Sequence, residues 1–364
     1  MTMATPQFHS LRIRDVRPET RDAVTISFDV PPELRDAYRF KQGQFLTLKA
    51  AIEGEEARRS YSICAAPQDY ERSGELRVGI KRVPGGKFSN FANEALLPGQ
   101  SIDVMTPDGR FFVPLDPQHA RHYVGFAGGS GITPMLALIK ASLAVEPGST
   151  FTLIYGNRSV SAIMFAEELE DLKNRYLGRL TLYHVLSDEA QDIELFNGLL
   201  NQDKCAAFLD TLVPANAIDI AFICGPAPMM DAAEAALQNA GVPHEKIHVE
   251  RFGTPLPQAG VKPVVIDDST PMAQLVVIAD GKERTLRIPF TGISVLDTGL
   301  HAGMNLPYAC KGGVCCTCRA RVLEGEVRME KNYTLEPYEV DGGFVLTCQC
   351  HPISERVVIS YDER

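Results

Sequence analysis

The stretch CKGGVCCTC, residues 310–318, places four cysteines within nine residues. No other feature of the 364-residue chain restricts its fold so sharply, because thiols this close must share one loop and one kind of chemistry. Disulfides fit badly, since Cys315 and Cys316 are adjacent and make a poor pair. The N-terminus MTMATPQFHS has neither the basic start nor the apolar core of a secretory signal. No uninterrupted apolar run reaches the roughly 18–20 residues of a membrane span. The best stretch, Val124–Val145, is broken by glycines, Pro134 and Lys140. The expectation is a soluble cytoplasmic chain with reduced thiols, in which clustered cysteines serve metal or redox chemistry.

Spacing sorts the cluster. Cys310, Cys315 and Cys318 form C-x4-C-x2-C, and Cys348 follows at a distance. This is the plant-type spacing of a four-thiolate [2Fe–2S] cluster. Structural zinc usually takes two short cysteine knuckles, whereas here one long loop faces a single later cysteine. The glycines of KGGV suit a loop whose backbone N–H groups approach inorganic sulfide. Cys316 and Cys350 are left over and expected to be small, semi-buried residues, with Cys350 on the same face of an extended strand as Cys348. Upstream, AQLVVIADGKERTLRIPF predicts a hairpin turning at Asp280-Gly281. SVLDTGLHAG predicts a short helix with Ser294 and Asp297 at its start and Gly303 at its stop, and ERVVISYDE a closing strand. Residues 272–364 resemble a β-grasp ferredoxin.

A cluster that accepts single electrons needs a source, and the length allows two or three domains. The Pro/Gly-rich TPLPQAGVKP sets off the ferredoxin region, with a linker expected at 257–271. Before it, HYVGFAGG, FTLIYGNR, LTLYHVLS and IDIAFICGP read as strands. ITPMLALIKASLA, AIMFAEELEDLKNRY and APMMDAAEAALQNAG read as helices between and after them. Such alternation predicts a doubly wound α/β parallel sheet over 119–256, with its ligand at the carboxyl ends of the strands. AGGSGITP lies at the first of those ends. Gly129 and Gly131 match two glycines of a dinucleotide turn, but Pro134 stands where the third would be. Thr133 is then expected to cap the helix, with Pro134 its first residue, leaving N–H groups for a pyrophosphate. A tight strand–helix turn needs glycine without any ligand, so the glycines alone do not decide. The second strand ends at Arg158 with no acid, which suits a 2′-phosphate and hence NADPH, while a solvated arginine is the plain alternative.

Residues 1–118 carry short strands bounded by Gly, Pro and charged turns, predicting an antiparallel β-barrel. RRSYS brings together an arginine for a pyrophosphate, an aromatic for a planar ring and a hydroxyl for a ring nitrogen.

The order of R-x-Y-S, G-G-x-G-x-T-P, C-G-P and the cysteine cluster resembles the ferredoxin–NADP reductase superfamily fused to a plant-type ferredoxin. That resemblance implies FAD held by Arg59, Ser60, Tyr61, Ser62, Gly79, Ile80, Lys81, Gly86, Lys87, Phe88, Ser89 and Phe252. It implies NADPH, with NADH the other candidate, at Gly128, Gly129, Gly131, Thr133, Pro134, Arg158, Cys224, Gly225, Pro226 and Met229. Ser62, Cys224 and Glu250 would lie at the chemistry, and Cys310, Cys315, Cys318 and Cys348 would bind the [2Fe–2S] cluster. YRFKQGQFLTLKA, LPYACKGGVCCTC and NYTLEPYE narrow the likeness to reductase subunits of phenylacetyl-CoA epoxidases, and so imply the oxygenase component of such a multicomponent monooxygenase as partner. Leu199, where an arginine is expected after Gly198, departs from that pattern. The same layout serves Rieske-type ring-hydroxylating and steroid-hydroxylating oxygenases, and an iron–sulfur redox sensor is the reading from another class. Net charge is −10, concentrated in 119–271 with 18 acids against 10 bases, which argues against nucleic acid. The near-neutral ferredoxin region argues against strong electrostatic docking.

Overall fold

The computed structural model describes residues 6–252 and 271–363, so nearly all of the expected linker lies outside the described residues. Phe8–Phe252 form one compact unit holding two sheets. The first sheet comprises β1 (Phe8–Thr20), β2 (Ala23–Asp29), β3 (Phe45–Ile52), β4 (Glu55–Ser62), β5 (Leu76–Lys81) and β6 (Ser101–Met105). Along β1, Leu11 and Ile13 are buried while Ser10, Arg12 and Arg14 face out, the period-two alternation of a half-buried strand. The order is β4-β3-β6-β1-β2-β5, all neighbours antiparallel. An Ile63–Val78 bridge joins the two edges, and the Cys64 N–H donates to the Arg77 carbonyl at 2.9 Å. The sheet therefore curls so that its two edge strands meet at one end, as a partly closed barrel. Two short helices, α1 (Pro67–Ser73) and α2 (Lys87–Glu94), flank β5.

The second sheet has the order β11-β10-β7-β8-β9, every neighbouring pair parallel. Its strands are β7 (His122–Gly128), β8 (Thr150–Asn157), β9 (Leu180–Leu186), β10 (Ile220–Gly225) and β11 (Ile247–Arg251). They are linked by α3 (Ile132–Val145), α4 (Ala166–Arg175), α5 (Gln202–Thr211) and α6 (Ala227–Asn239). The winding reverses between β7 and β10, which makes their carboxyl ends the topological switch point. Helix α3 buries residues on all sides, which accounts for the most apolar stretch of the chain without a membrane. Among the described residues no helix is long and apolar enough to cross one.

Two local expectations are corrected, and one helix is new. Helix α3 does not begin at Pro134: a turn at Gly129–Gly131 leads into Ile132, and the Thr133 hydroxyl donates to the Ser130 carbonyl at 3.0 Å instead of capping. Pro134 is tolerated because first-turn N–H groups have no helical partner anyway. Helix α4 starts at Ala166, later than its apolar pattern predicts, because Phe165 is left-handed at φ +59°. Helix α5, which the sequence reading did not anticipate, is capped by the Asn201 side chain accepting the Lys204 N–H at 2.9 Å.

The second compact unit contains a mixed sheet, β13-β12-β18-β14-β16, over its own apolar core. The strands are β12 (Met272–Ala279), β13 (Lys282–Pro289), β14 (Arg319–Glu324), β16 (Phe344–Leu346) and β18 (Arg356–Ser360); β15 (Val327–Met329) and β17 (Cys350–Pro352) form a small separate ladder. Asp280 and Gly281 both have positive φ, as the predicted two-residue hairpin turn requires. Helix α7 (Val295–His301) is capped as expected, Ser294 accepting the Asp297 N–H at 3.1 Å. Helix α8 (Pro337–Asp341) precedes β16.

Candidate functional site

Strand β4 carries Arg59, Ser60, Tyr61 and Ser62 toward the seam where the barrel closes. Arg59 is exposed, donates only to the neighbouring Arg58 carbonyl at 2.7 Å, and has no carboxylate partner among the described residues. It is therefore open to an anion. The Ser60 and Thr47 hydroxyls lie 3.1 Å apart. Tyr61 packs on buried Phe88, ring centroids 5.8 Å apart, and burial pushes its phenol pKa up. Phe88 sits in the first turn of α2, which starts after Gly86. Ser89 accepts the Val83 N–H at 3.1 Å and so shapes that turn, while Lys87 reaches Glu55 at 2.7 Å.

Gly79, Ile80 and Lys81 end β5. The Ile80 side chain lies in the barrel core and its carbonyl accepts Asn93 Nδ2 at 3.1 Å. A Cβ at Gly79 would meet Thr133 at 2.8 Å, so the glycine lets the barrel approach α3. Lys81 and Arg158 both face Asp22, at 3.9 and 3.6 Å. No sequence pattern joins Asp22 to Arg158, which only the tertiary fold brings near.

At the switch point the glycine turn and the loop after β10 interlock. A Cβ at Gly131 would lie 2.0 Å from the Cys224 carbonyl oxygen, and one at Gly128 would lie 2.6 Å from Pro226 and 2.7 Å from Met229. Gly225 is equally tight, 2.9 Å from the Gly128 nitrogen. Close packing alone thus explains these glycines, and it leaves the first N–H groups of α3 next to the loop Cys224–Met229. Cys224 is fully buried, and burial, with Glu250 adding to it, holds its thiol protonated.

Cys224 and Glu250 are partners in the β10–β11 ladder. Ser62 Oγ donates to Glu250 Oε2 at 3.1 Å, so the end of the barrel strand meets the last strand of the parallel sheet. Burial raises the Glu250 carboxyl pKa to about 8, with the Ser62 hydrogen bond opposing it only in part. The three expected catalytic side chains are therefore brought together. Phe252 follows β11 and is partly exposed.

In the other unit, Cys310, Cys315, Cys318 and Cys348 come together on one loop and the turn after β16. The Cys310 thiol interacts with those of Cys315 and Cys348, and the Cys318 thiol with that of Cys348. The partners push the Cys310 thiol down and the Cys348 thiol up. The Gly312 N–H donates to Cys310 Sγ at 3.3 Å, the backbone approach expected of KGGV. Among the described residues no three His, Cys, Asp or Glu side chains are grouped tightly enough to hold one metal ion. Neighbouring pairs fit a two-iron cluster, which takes two thiolates at each iron, better than one tetrahedral zinc.

The extra cysteines differ from each other. Cys316 is half-buried in a left-handed conformation, 3.2 Å from the Thr334 hydroxyl. Cys350 does not follow Cys348 along an extended strand, because Thr347–Gln349 form a tight turn. It is fully buried and donates to the Leu346 carbonyl at 3.2 Å.

Three family models match: an oxidoreductase FAD-binding domain at 10–113, an oxidoreductase NAD-binding domain at 126–235, and a 2Fe-2S iron-sulfur cluster binding domain at 277–352. The chain is 45% identical to a subunit of the 1,2-phenylacetyl-CoA epoxidase of Escherichia coli K12, over 98% of both chains. It is 38% identical to the ferredoxin reductase component of 3-ketosteroid-9-alpha-monooxygenase from Mycolicibacterium smegmatis, over 97% of both. The chain belongs to the reductase components of multicomponent oxygenases. Phthalate dioxygenase reductase shares the reductase's fold, with a TM-score of 0.59 at 21% identity, covering 97% of this chain and 98% of that one. This reductase is thus a flavin and iron–sulfur oxidoreductase with FAD-binding, NAD-binding and [2Fe–2S] domains.

Proposed function

We propose that this chain is the reductase subunit of a phenylacetyl-CoA epoxidase, drawing electrons from NADPH and delivering them to the oxygenase component in the cytoplasm. The observation that carries this reading is 45% identity to the Escherichia coli epoxidase subunit along nearly the whole chain. Arg59 and the N-terminal turn of α2 would hold the FAD phosphates, with Tyr61 and Ser62 at its ring system. The α3 turn and the Cys224–Met229 loop would hold the nicotinamide dinucleotide, and Cys310, Cys315, Cys318 and Cys348 the cluster. When bound, the flavin supplies the conversion of a hydride pair into single electrons for the cluster. Buried Cys224 offers an uncharged surface to the nicotinamide side. Glu250, its carboxyl pKa raised to about 8 by burial, would carry a proton near neutral pH while its Oε2 accepts the Ser62 hydroxyl.

The preference for NADPH rests on Arg158, whose guanidinium is 68% exposed at the end of β8 and only loosely paired with Asp22. A charge-assisted bond to a 2′-phosphate would favour NADPH about 10- to 100-fold. Arg158→Ala should raise KM for NADPH and leave NADH nearly unchanged; equal kcat/KM for both nucleotides in the wild type would reduce Arg158 to a surface residue.

The decisive experiment supplies the NADPH-reduced protein to purified oxygenase components. Turnover of phenylacetyl-CoA with the epoxidase supports the reading. Turnover only with a 3-ketosteroid hydroxylase would favour the alternative, which the 38% identity to that reductase keeps specific.

A further inference from the structure

Lys140 is the one charged residue of helix α3, a charge that the fold must bury for a reason. Its ammonium meets Glu168 of α4, and Arg77 Nη2 of the barrel strand β5 lies 2.9 Å from both oxygens of the same carboxylate. Side-chain exposures of 12% for Lys140, 16% for Arg77 and 28% for Glu168 place this group inside the junction between barrel and parallel sheet. A second contact crosses the same junction: Glu19 of β1 accepts the Phe165 N–H at 2.6 Å. Phe165 has φ +59°, a conformation a bulky residue adopts only when its surroundings impose it. Its ring lies under the Arg77 guanidinium, 5.7 Å away, and a Cβ at Gly79 would come within 3.1 Å of it.

We propose that Arg77, Glu168, Lys140 and Glu19 are positioning residues that set the barrel against the parallel sheet in the register that hydride transfer needs. The inference rests on the reading of the chain as a nucleotide-reduced flavoprotein. The clamp is connected to the site at both ends. The Arg77 carbonyl accepts the N–H of Cys64 at 2.9 Å and its thiol at 3.4 Å, two residues after Ser62. Lys140 lies on the helix that leaves the glycine turn. A slip between the two sheets would therefore shift Ser62 against Glu250 and the barrel against the dinucleotide turn together. Apolar packing at the junction would permit such a slip, whereas a carboxylate held at both oxygens by Arg77 Nη2 and also met by the Lys140 ammonium is directional. Buried ion pairs contribute little net stability relative to well-packed apolar residues, which leaves orientation as their contribution here.

The test uses the holoprotein with FAD and cluster bound. The double variant Arg77→Met/Glu168→Gln removes the guanidinium–carboxylate contact with side chains of similar length and leaves an amide oxygen to accept from Lys140. Its FAD content, cluster absorbance and KM for nucleotide should stay within about twofold of wild type, while the limiting rate of flavin reduction falls by at least about tenfold. The long-wavelength charge-transfer absorbance of reduced flavin with oxidised nucleotide should weaken in parallel. Arg77→Lys, which keeps the charge and loses the fork, should lie between the two. If the double variant does not fold, Arg77→Lys alone decides. A normal limiting rate and a normal charge-transfer band in a flavin-loaded variant would overturn the proposal. Wild-type protein whose flavin neither NADPH nor NADH reduces would instead overturn the reductase reading, and the clamp with it.

Discussion

Glu250 is the residue whose environment departs most from what its neighbours in sequence suggest. Burial raises its pKa from near 4.5 to about 8, so the native protein binds a proton that the unfolded chain releases. Its neutral form contributes stability fully present below about pH 4.5 and lost as pH rises through about 8. Flavin reduction that needs this proton should decline across the same upper limit. Glu250→Gln should flatten the stability profile between about pH 4.5 and about pH 8, read by thermal unfolding, and the fall of the rate near about pH 8, read by stopped-flow absorbance. An unchanged rate profile would remove Glu250 from the proton chemistry. The cysteines give a second prediction at this scale. Serine at Cys310, Cys315, Cys318 or Cys348 should abolish the [2Fe–2S] absorbance, whereas Cys316→Ser should keep it. Cys350→Ala should keep the colour too and cost about 1 kcal/mol for a lost buried contact. A colourless Cys316→Ser protein would transfer the ligand role.

Among the elements, the glycine turn before α3 shows how packing and binding share residues. Gly131 has an ordinary backbone conformation, with its turn's left-handed residue at Gly129, φ +50°. Its requirement is space, since the Cys224 carbonyl would sit 2.0 Å from an added methyl. That carbonyl belongs to a strand end paired on both sides and cannot retreat freely. Gly131→Ala should destabilise the unit Phe8–Phe252 by about 1–3 kcal/mol, measured by chemical denaturation, and weaken nucleotide binding with it. A variant of native stability that still binds nucleotide would show that the turn can move. The family likeness identified this turn, but its glycines in sequence could not say whether strand, helix or ligand demanded them.

For the whole molecule, the two compact units have separate cores. The ferredoxin core draws its members from residues beyond 271, and the barrel's from residues before 105. Loss of one cofactor should therefore spare the other. Arg59→Ala should release FAD while leaving the cluster spectrum intact, read from the visible absorbance of desalted protein. FAD retained at wild-type occupancy would count against Arg59 as a phosphate ligand, and simultaneous loss of the cluster against separate cores. Within Phe8–Phe252 the expectation is different. Ala23, Cys64, Phe111 and Val113 share a core with the parallel sheet, so barrel and sheet should unfold together.

The sequence by itself determined the parts and their order. The cysteine spacing, the Asp280-Gly281 turn and the strand–helix alternation are local signals, because ligand loops, two-residue hairpins and crossovers depend on residues close in the chain. Local pattern started α3 rightly at Ile132 but misassigned its cap, since Thr133 bonds the Ser130 carbonyl, and it misplaced the start of α4, where Phe165 is left-handed against Glu19. It also missed α5 and drew Cys348 and Cys350 as one extended strand, where Thr347–Gln349 form a tight turn. Only the tertiary structure decided that burial raises the Glu250 pKa, that Ser62 meets it, and that Arg77, Lys140 and Glu168 form one group. Each of those depends on desolvation or contact between residues dozens to nearly two hundred positions apart, and no periodicity or spacing encodes such a distance.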